Sequence, residues 1–126
     1  MIRRYVGGPL WPPIPFMNGL VINNISWKIK PVKMAHRGLY RGNGKYAIGM
    51  TDWNDRIIYL NENLSGTLLY NVLCHEIVHA FMFSYDLYLD YEQEEKMANF
   101  IADYGKEIVN NTDSILWELC HGYKMC

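Results

Sequence analysis

Leu73-Cys74-His75-Glu76-Ile77-Val78-His79-Ala80-Phe81 is the stretch on which the reading turns. It lies in the strongest helical segment of the chain, Thr67 to about Ser84. There Leu69, Leu73, Ile77, Ala80 and Phe81 form one apolar stripe, and Leu68, Val72, His75 and His79 a neighbouring one. A helix apolar over so much of its circumference should be deeply buried, and Ser65 is a reasonable N-cap for it. His75 and His79, four residues apart, then sit roughly 40° apart on one face, one turn above the other. Two imidazoles so placed can converge on one zinc ion at about 2.0–2.1 Å each. Glu76 leaves the same helix at a different angle, where it can reach a water beside the ion without becoming a ligand, the position a general base needs. A single His here would read as a core histidine satisfied by hydrogen bonds. Two at ligand spacing around a buried Glu are difficult to satisfy without a metal.

Downstream, the spacing predicts a second helix from about Tyr91 to Asn110 with Met97, Ile101, Tyr104 and Ile108 as its core face, after which Asp113 can cap a short last helix through Leu119. A catalytic zinc usually has three protein ligands and an open position. Glu92, Glu94 and Glu95 are the candidates for the third, although acids in a first turn also suit the helix dipole, which accounts for at least two of them. The residues on its C-terminal side single out Glu95. Asn99 lies one turn on, beside small Ala98 and Ala102 that let two helices approach closely, and can orient a ligating histidine through its second ring nitrogen.

Upstream, Ile25, Trp27 and Ile29 alternate with Ser26, Lys28 and Lys30, so Leu20 to Lys30 reads as a half-buried strand stopped by Pro31. His36 to Lys45 reads as a loop, and its Gly42-Asn43-Gly44-Lys45 lacks the pattern of a phosphate-binding loop. Tyr46 to Met50 and Arg56 to Leu60 are β-prone runs, and Asp52-Trp53-Asn54-Asp55 between them predicts a hairpin. Residues 1–19, with Trp-Pro-Pro-Ile-Pro at 11–15, read as an irregular arm. The expected architecture is one α+β domain over residues 1–126: arm 1–19, strands within 20–60, helices within 65–120. A short, mostly antiparallel sheet would pack on the His-bearing helix and a second, Glu-bearing one.

A chain of 126 residues, half hydrophobic and 14% aromatic, can build one real core and is not disordered. Net charge is only −1, but residues 1–56 hold nine Lys/Arg against two acids and residues 57–126 three Lys against eleven acids. A basic sheet layer lying against acidic helices explains this more simply than a nucleic-acid surface. The odd cysteine count (Cys74, Cys120 and Cys126), without a CxxC pair, suggests neither a disulfide framework nor a thiolate zinc knuckle. No run has the length of a signal peptide's apolar core or of a membrane span. A cytoplasmic protein with no membrane partner is expected. Among the tryptophans, Trp11, Trp27, Trp53 and Trp117 read as core and surface anchors.

His75-Glu76-x-x-His79 followed by Glu95-x-x-Ala98-Asn99 resembles the gluzincin pattern. It is similar above all to the minimal zincins of phages and bacteria, the SprT-like and ImmA/IrrE-type metallopeptidases. Ala80-Phe81, Phe100-Ile101-Ala102 and the strand Arg56 to Leu60 just before the helix add to the likeness, which covers roughly residues 38–110. The resemblance implies a zincin-like domain holding Zn2+ on His75, His79 and Glu95, with Glu76 as catalytic acid/base and Asn99 behind a ligand. Family enzymes often have Asp where Asn99 stands. It implies a protein or peptide substrate, paired with an edge strand that would be Arg56 to Leu60 or Tyr46 to Met50, and a setting in a bacterial cell or a phage-infected host. The oxyanion needs a donor besides the metal, for which Tyr104, His121, Tyr123 and His36 are available. Two other readings stand beside this one: a DNA-associated SprT-like protein using the basic N-terminal half, and a binding protein that keeps zinc as a staple, with His121 as a fourth ligand.

Overall fold

The computed structural model describes residues 19–125. The arm expected over residues 1–19, with Trp11, lies outside the described residues except for Gly19, which opens the first strand. The architecture is α+β, with a four-stranded mixed sheet and a two-stranded ribbon packed against two helices.

The first two strands, β1 (Gly19–Ile22) and β2 (Ile25–Val32), pair antiparallel around Asn23-Asn24. They replace the single strand expected from Leu20 to Lys30. Both asparagines have positive φ, 50° and 65°, as a tight two-residue hairpin turn requires, and Asn tolerates that conformation better than most residues. The alternation is right in sense, because Trp27 is buried while Lys28 and Lys30 face solvent. Pro31 does not stop the strand. Lys28 donates its N–H to Arg56 O, just ahead of the neighbouring strand that begins at Ile57, so by parity Pro31 turns its nitrogen to the other side, where β1 ends opposite Lys28.

The expected hairpin is present with shifted bounds. Strands β5 (Gly49–Asp52) and β6 (Ile57–Asn61) pair antiparallel, and the Asp52 carboxylate accepts the N–H groups of Asn54 and Asp55 in the turn. Strand β6 also runs parallel to β2, giving the order β1-β2-β6-β5. Part of the expected 36–45 loop is ordered instead. A single 3-10 turn (Arg37–Leu39) leads into a ribbon of β3 (Tyr40–Gly42) and β4 (Lys45–Tyr46), joined through Gly42, Asn43 and Gly44, all with positive φ.

Helix α1 (Gly66–Ser84) lies on the sheet. Its Ala80 joins Ile22, Trp27, Ile58 and Leu60 in the main core, with Leu69, Leu73 and Ile77 packed against it. The Trp27 indole donates to Ser84 Oγ at 2.9 Å, pinning the C-terminal end of α1 to β2 inside the core. Ser65 stands at the N-cap, but its side chain makes no capping bond. Helix α2 (Tyr91–Gly122) is a continuous rod of 32 residues, started by Asp90, whose side chain accepts from Gln93 N–H. It runs straight through Asp113, which caps nothing. The helix packs against α1 through Ala98 and Ala102, its buried residues, while Met97, Ile101, Tyr104 and Ile108 stay exposed. That reverses the expected face: the small residues let the helices close on one another, and the bulky stripe is turned away. Cys74 is a free thiol whose pKa is raised by burial, and Cys120 is disulfide-bonded, so the odd count does not exclude a cross-link.

Candidate metal centre

Helix periodicity brings His75 and His79 to one face of α1, their ring centroids 4.9 Å apart. The Ala98/Ala102 contact sets the first turns of α2 beside that face. As a result the Nε2 atoms of both histidines and Oε1 of Glu95 meet. Glu95 Oε1 is 3.0 Å from His75 Nε2 and 2.7 Å from His79 Nε2, and the two nitrogens are 3.2 Å apart. Three ligands of a tetrahedral zinc with bonds of about 2.0–2.1 Å lie roughly 3.3 Å apart. The triangle is slightly tighter than that, and its donors are of the types such a site uses. His75, His79 and Glu95 therefore form a candidate metal-binding group.

The chemistry of the donors supports the fit. Nδ1 of His79 lies 2.5 Å from Oε2 of Glu94, and a carboxylate only accepts, so Nδ1 carries the proton. Nδ1 held in this way leaves Nε2 as the nitrogen that can ligate a metal once its own proton, shared with Glu95 Oε1, is displaced. Burial alone would lower the pKa of His79. The hydrogen bond to Glu94 and the nearby carboxylates of Glu76, Glu95 and Glu94 outweigh it and raise the value above the ordinary histidine range. For Glu95, burial works upward, but the two imidazoles and the hydrogen bonds from His79 and Tyr91 hold it below the ordinary carboxyl range. The Tyr91 hydroxyl donates to Glu95 Oε2 at 3.2 Å, fixing the oxygen that faces away from the histidines.

Glu76 is buried at 8% exposure, and it takes no part in the triangle. Its Oε1 accepts from the Thr51 hydroxyl on β5 at 2.7 Å, and the same hydroxyl lies 3.0 Å from the Glu76 carbonyl. This close docking of β5 on α1 depends on Gly49. A Cβ there would stand 2.6 Å from Val72 Cγ1 and 3.2 Å from Glu76 Cγ. The site opens into a cleft of about 600 Å3 between β5, the β3–β4 ribbon and the two helices, lined among others by Arg41, Thr51, Trp53, Tyr91 and Asp103.

The structure thus brings together His75, Glu76, His79 and Glu95. Asn99 lines the cleft, but the hydrogen bond that orients His79 comes from Glu94. Neither Tyr104 nor His121 lines it. Tyr104 packs on Phe100, and His121 stacks on Trp117 and bonds its carbonyl. His36 caps the 3-10 turn through Gly38 N–H, and Tyr123 is exposed. Strand β6 is interior to the sheet, so of the two runs offered for pairing with a peptide, Arg56 to Leu60 is covered on both sides. The strand beside the cleft is β5, which overlaps the other run at Gly49 and Met50.

Four contributors are not singled out by sequence. A lone Gly in a strand is a readable sign of close backbone approach, which would have marked Gly49. Tyr91 stands at i−4 from Glu95, also a readable spacing. The helix dipole is a sufficient explanation of Glu94 in sequence, and nothing local marks Thr51. No protein-family model, curated protein or solved structure matches this chain. No helix among the described residues is long and apolar enough to cross a membrane.

Proposed function

We propose that the chain is a zinc-dependent hydrolase that cleaves peptide bonds in a protein or peptide substrate. The observation that carries the reading is the meeting of His75, His79 and Glu95 at one point, with a buried carboxylate held separately beside it in an open cleft. A zinc ion bound by the three side chains would polarise the scissile carbonyl and bring the pKa of a water towards about 7. Glu76 takes the proton of the attacking water. Thr51 holds Oε1, leaving Oε2 as the oxygen that accepts, and the same carboxyl then returns the proton to the leaving amine. An extended peptide pairs along β5, which among the described strands is bonded on one edge alone, to β6. Arg41, in the cleft lining, is the donor we assign to a developing oxyanion, in place of Tyr104 and His121. Among the described residues the metal group has three members. His121, which would have closed it as a fourth, is engaged at Trp117, and an open position favours catalysis over a zinc staple.

The test is metal analysis beside cleavage of an unstructured peptide mixture read by mass spectrometry. The purified chain should hold about one zinc and Glu76→Gln should keep it while losing roughly 10²–10⁴-fold in rate. Retained activity in Glu76→Gln would remove the proton-transfer step. Zinc retained in His75→Ala or Glu95→Ala would remove the metal centre itself.

A further inference from the structure

The bulky stripe of α2 is unburied among the described residues yet regular. Met97, Ile101, Tyr104, Ile108, Asn111 and Ile115 succeed one another at steps of four, three, four, three and four residues, the seam spacing of a two-stranded coiled coil. Met97, Tyr104, Ile108 and Ile115 are 40%, 52%, 47% and 52% exposed, and Asn111 is exposed among them. None of the six lines the cleft.

We propose that two copies of this chain associate through this seam, α2 against α2 and parallel. A 4-3 repeat is matched by another helix. Within the described chain the only other helix, α1, is already packed on the Ala98/Ala102 side of α2. The area is sufficient. With Phe100 alongside, six half-exposed apolar side chains offer on the order of 600 Å2 per chain, and two such faces reach the lower bound of specific interfaces, about 1,200 Å2 in total. It also equals the upper end of the largest apolar patch on a typical monomer, about 300–600 Å2. Asn111 sets the direction. In a parallel pair each Asn111 meets its own counterpart and the two amides satisfy each other. An antiparallel pairing of the same seam would set each amide against an apolar side chain, unsatisfied.

The experiment is sedimentation equilibrium of the full chain at concentrations up to roughly 100 μM. The wild type is expected at twice its 14.8 kDa. Ile108→Asp combined with Ile115→Asp should sediment as a single chain, its dimer dissociation constant raised at least about 100-fold with an unchanged helical circular dichroism signal. Because both side chains are exposed, folding should survive the exchange. Asn111→Leu removes the polar seam position and should tighten association about 10-fold or more while staying two-stranded, because it sets Leu at a d position beside Ile at the a positions. A wild type that stays monomeric overturns the proposal. So does a double variant that dimerises like the wild type, or an Asn111→Leu chain whose association is unchanged or weaker. A wild type that dimerises only after removal of residues 1–18 would assign the face to that segment instead, and equally overturns it.

Discussion

Glu94 and Glu95 are adjacent, yet they reach opposite sides of one imidazole. Glu95 Oε1 meets His79 at Nε2 and Glu94 Oε2 meets it at Nδ1. The second contact keeps the ring turned and its ligating nitrogen basic, the usual work of a carboxylate behind a metal-bound histidine. Glu94→Ala should therefore weaken zinc binding at pH 8 by about 10–100-fold, measured by competition with a chromophoric chelator. The same pair sets a pH dependence. Because the pKa of His79 is raised in the folded chain, its protonated form stabilises the metal-stripped fold. That contribution is complete below the unfolded value of about 6.5 and is lost as pH rises through the raised folded value. Zinc has to displace that proton, so affinity should climb as pH passes through the raised value. In Glu94→Ala the climb should start at lower pH, since the largest upward influence is gone. An affinity profile that does not move in Glu94→Ala would show that the contact does not govern His79. Glu95 works on the other side of neutrality. Its lowered pKa keeps the ligand ionised, and the stability this adds is present above about 4.5 and lost as pH falls through the folded value.

At the scale of elements, the site depends on how closely β5 lies against α1. Gly→Ala exchanges usually stabilise by about 0.4–1 kcal/mol where the backbone permits them. Gly49→Ala should have the opposite sign, because the added methyl meets Val72 at 2.6 Å and the stem of the Glu76 side chain at 3.2 Å. Overpacking of this kind costs about 1–3 kcal/mol. The melting temperature should drop by roughly 4–12 °C, and the rate of cleavage should fall with zinc still bound, since Thr51 is drawn away from Glu76. Val72→Ala in the same chain makes room and should recover most of the loss, a coupling that a double-mutant cycle measures directly. Additive effects would rule out this clash as the cause. The helices are the legible part of the sequence, because periodicity and ligand spacing are local signals. The strands are less so. Asn23-Asn24 interrupts no alternation, so one strand is expected where a hairpin stands, and the harmlessness of Pro31 depends on the side its nitrogen faces. The face of α2 departs from expectation for a further reason. Bulk marks what can be buried, but the Ala98/Ala102 side is chosen by the closeness that the Glu95 contact requires, which no window on one helix contains.

For the molecule as a whole, the candidate metal centre lies at the joint between two unequal bodies. The sheet and α1 share a core around Trp27 and Ile58, closed at the far end by the Trp27–Ser84 hydrogen bond. Helix α2 is held to that body by a much smaller cluster, Val78, Met82 and Ala98, together with the pairs that Glu94 and Glu95 make with the two histidines. An ion gripped by His75 and His79 from one body and Glu95 from the other would thus be a cross-link placed where apolar contact is thinnest. Its contribution to stability is set by mass action: at a free concentration 100 times Kd it adds about 2.7 kcal/mol, enough to raise the melting temperature by roughly 10 °C. The loss on chelation should be local. Amide hydrogen exchange should accelerate across the first four turns of α2, where Ala98 and Ala102 pack, while amides of β2 and β6 keep their protection because their core does not involve the ion. The carboxylate–imidazole pairs remain after chelation, so α2 should loosen without detaching, and the far-ultraviolet circular dichroism should change little. Uniform acceleration through sheet and helices alike would mean that one cooperative unit includes both bodies. Unchanged exchange in α2 would mean that the Ala98 contact suffices to hold the helix, leaving the ion with a chemical role and no structural one.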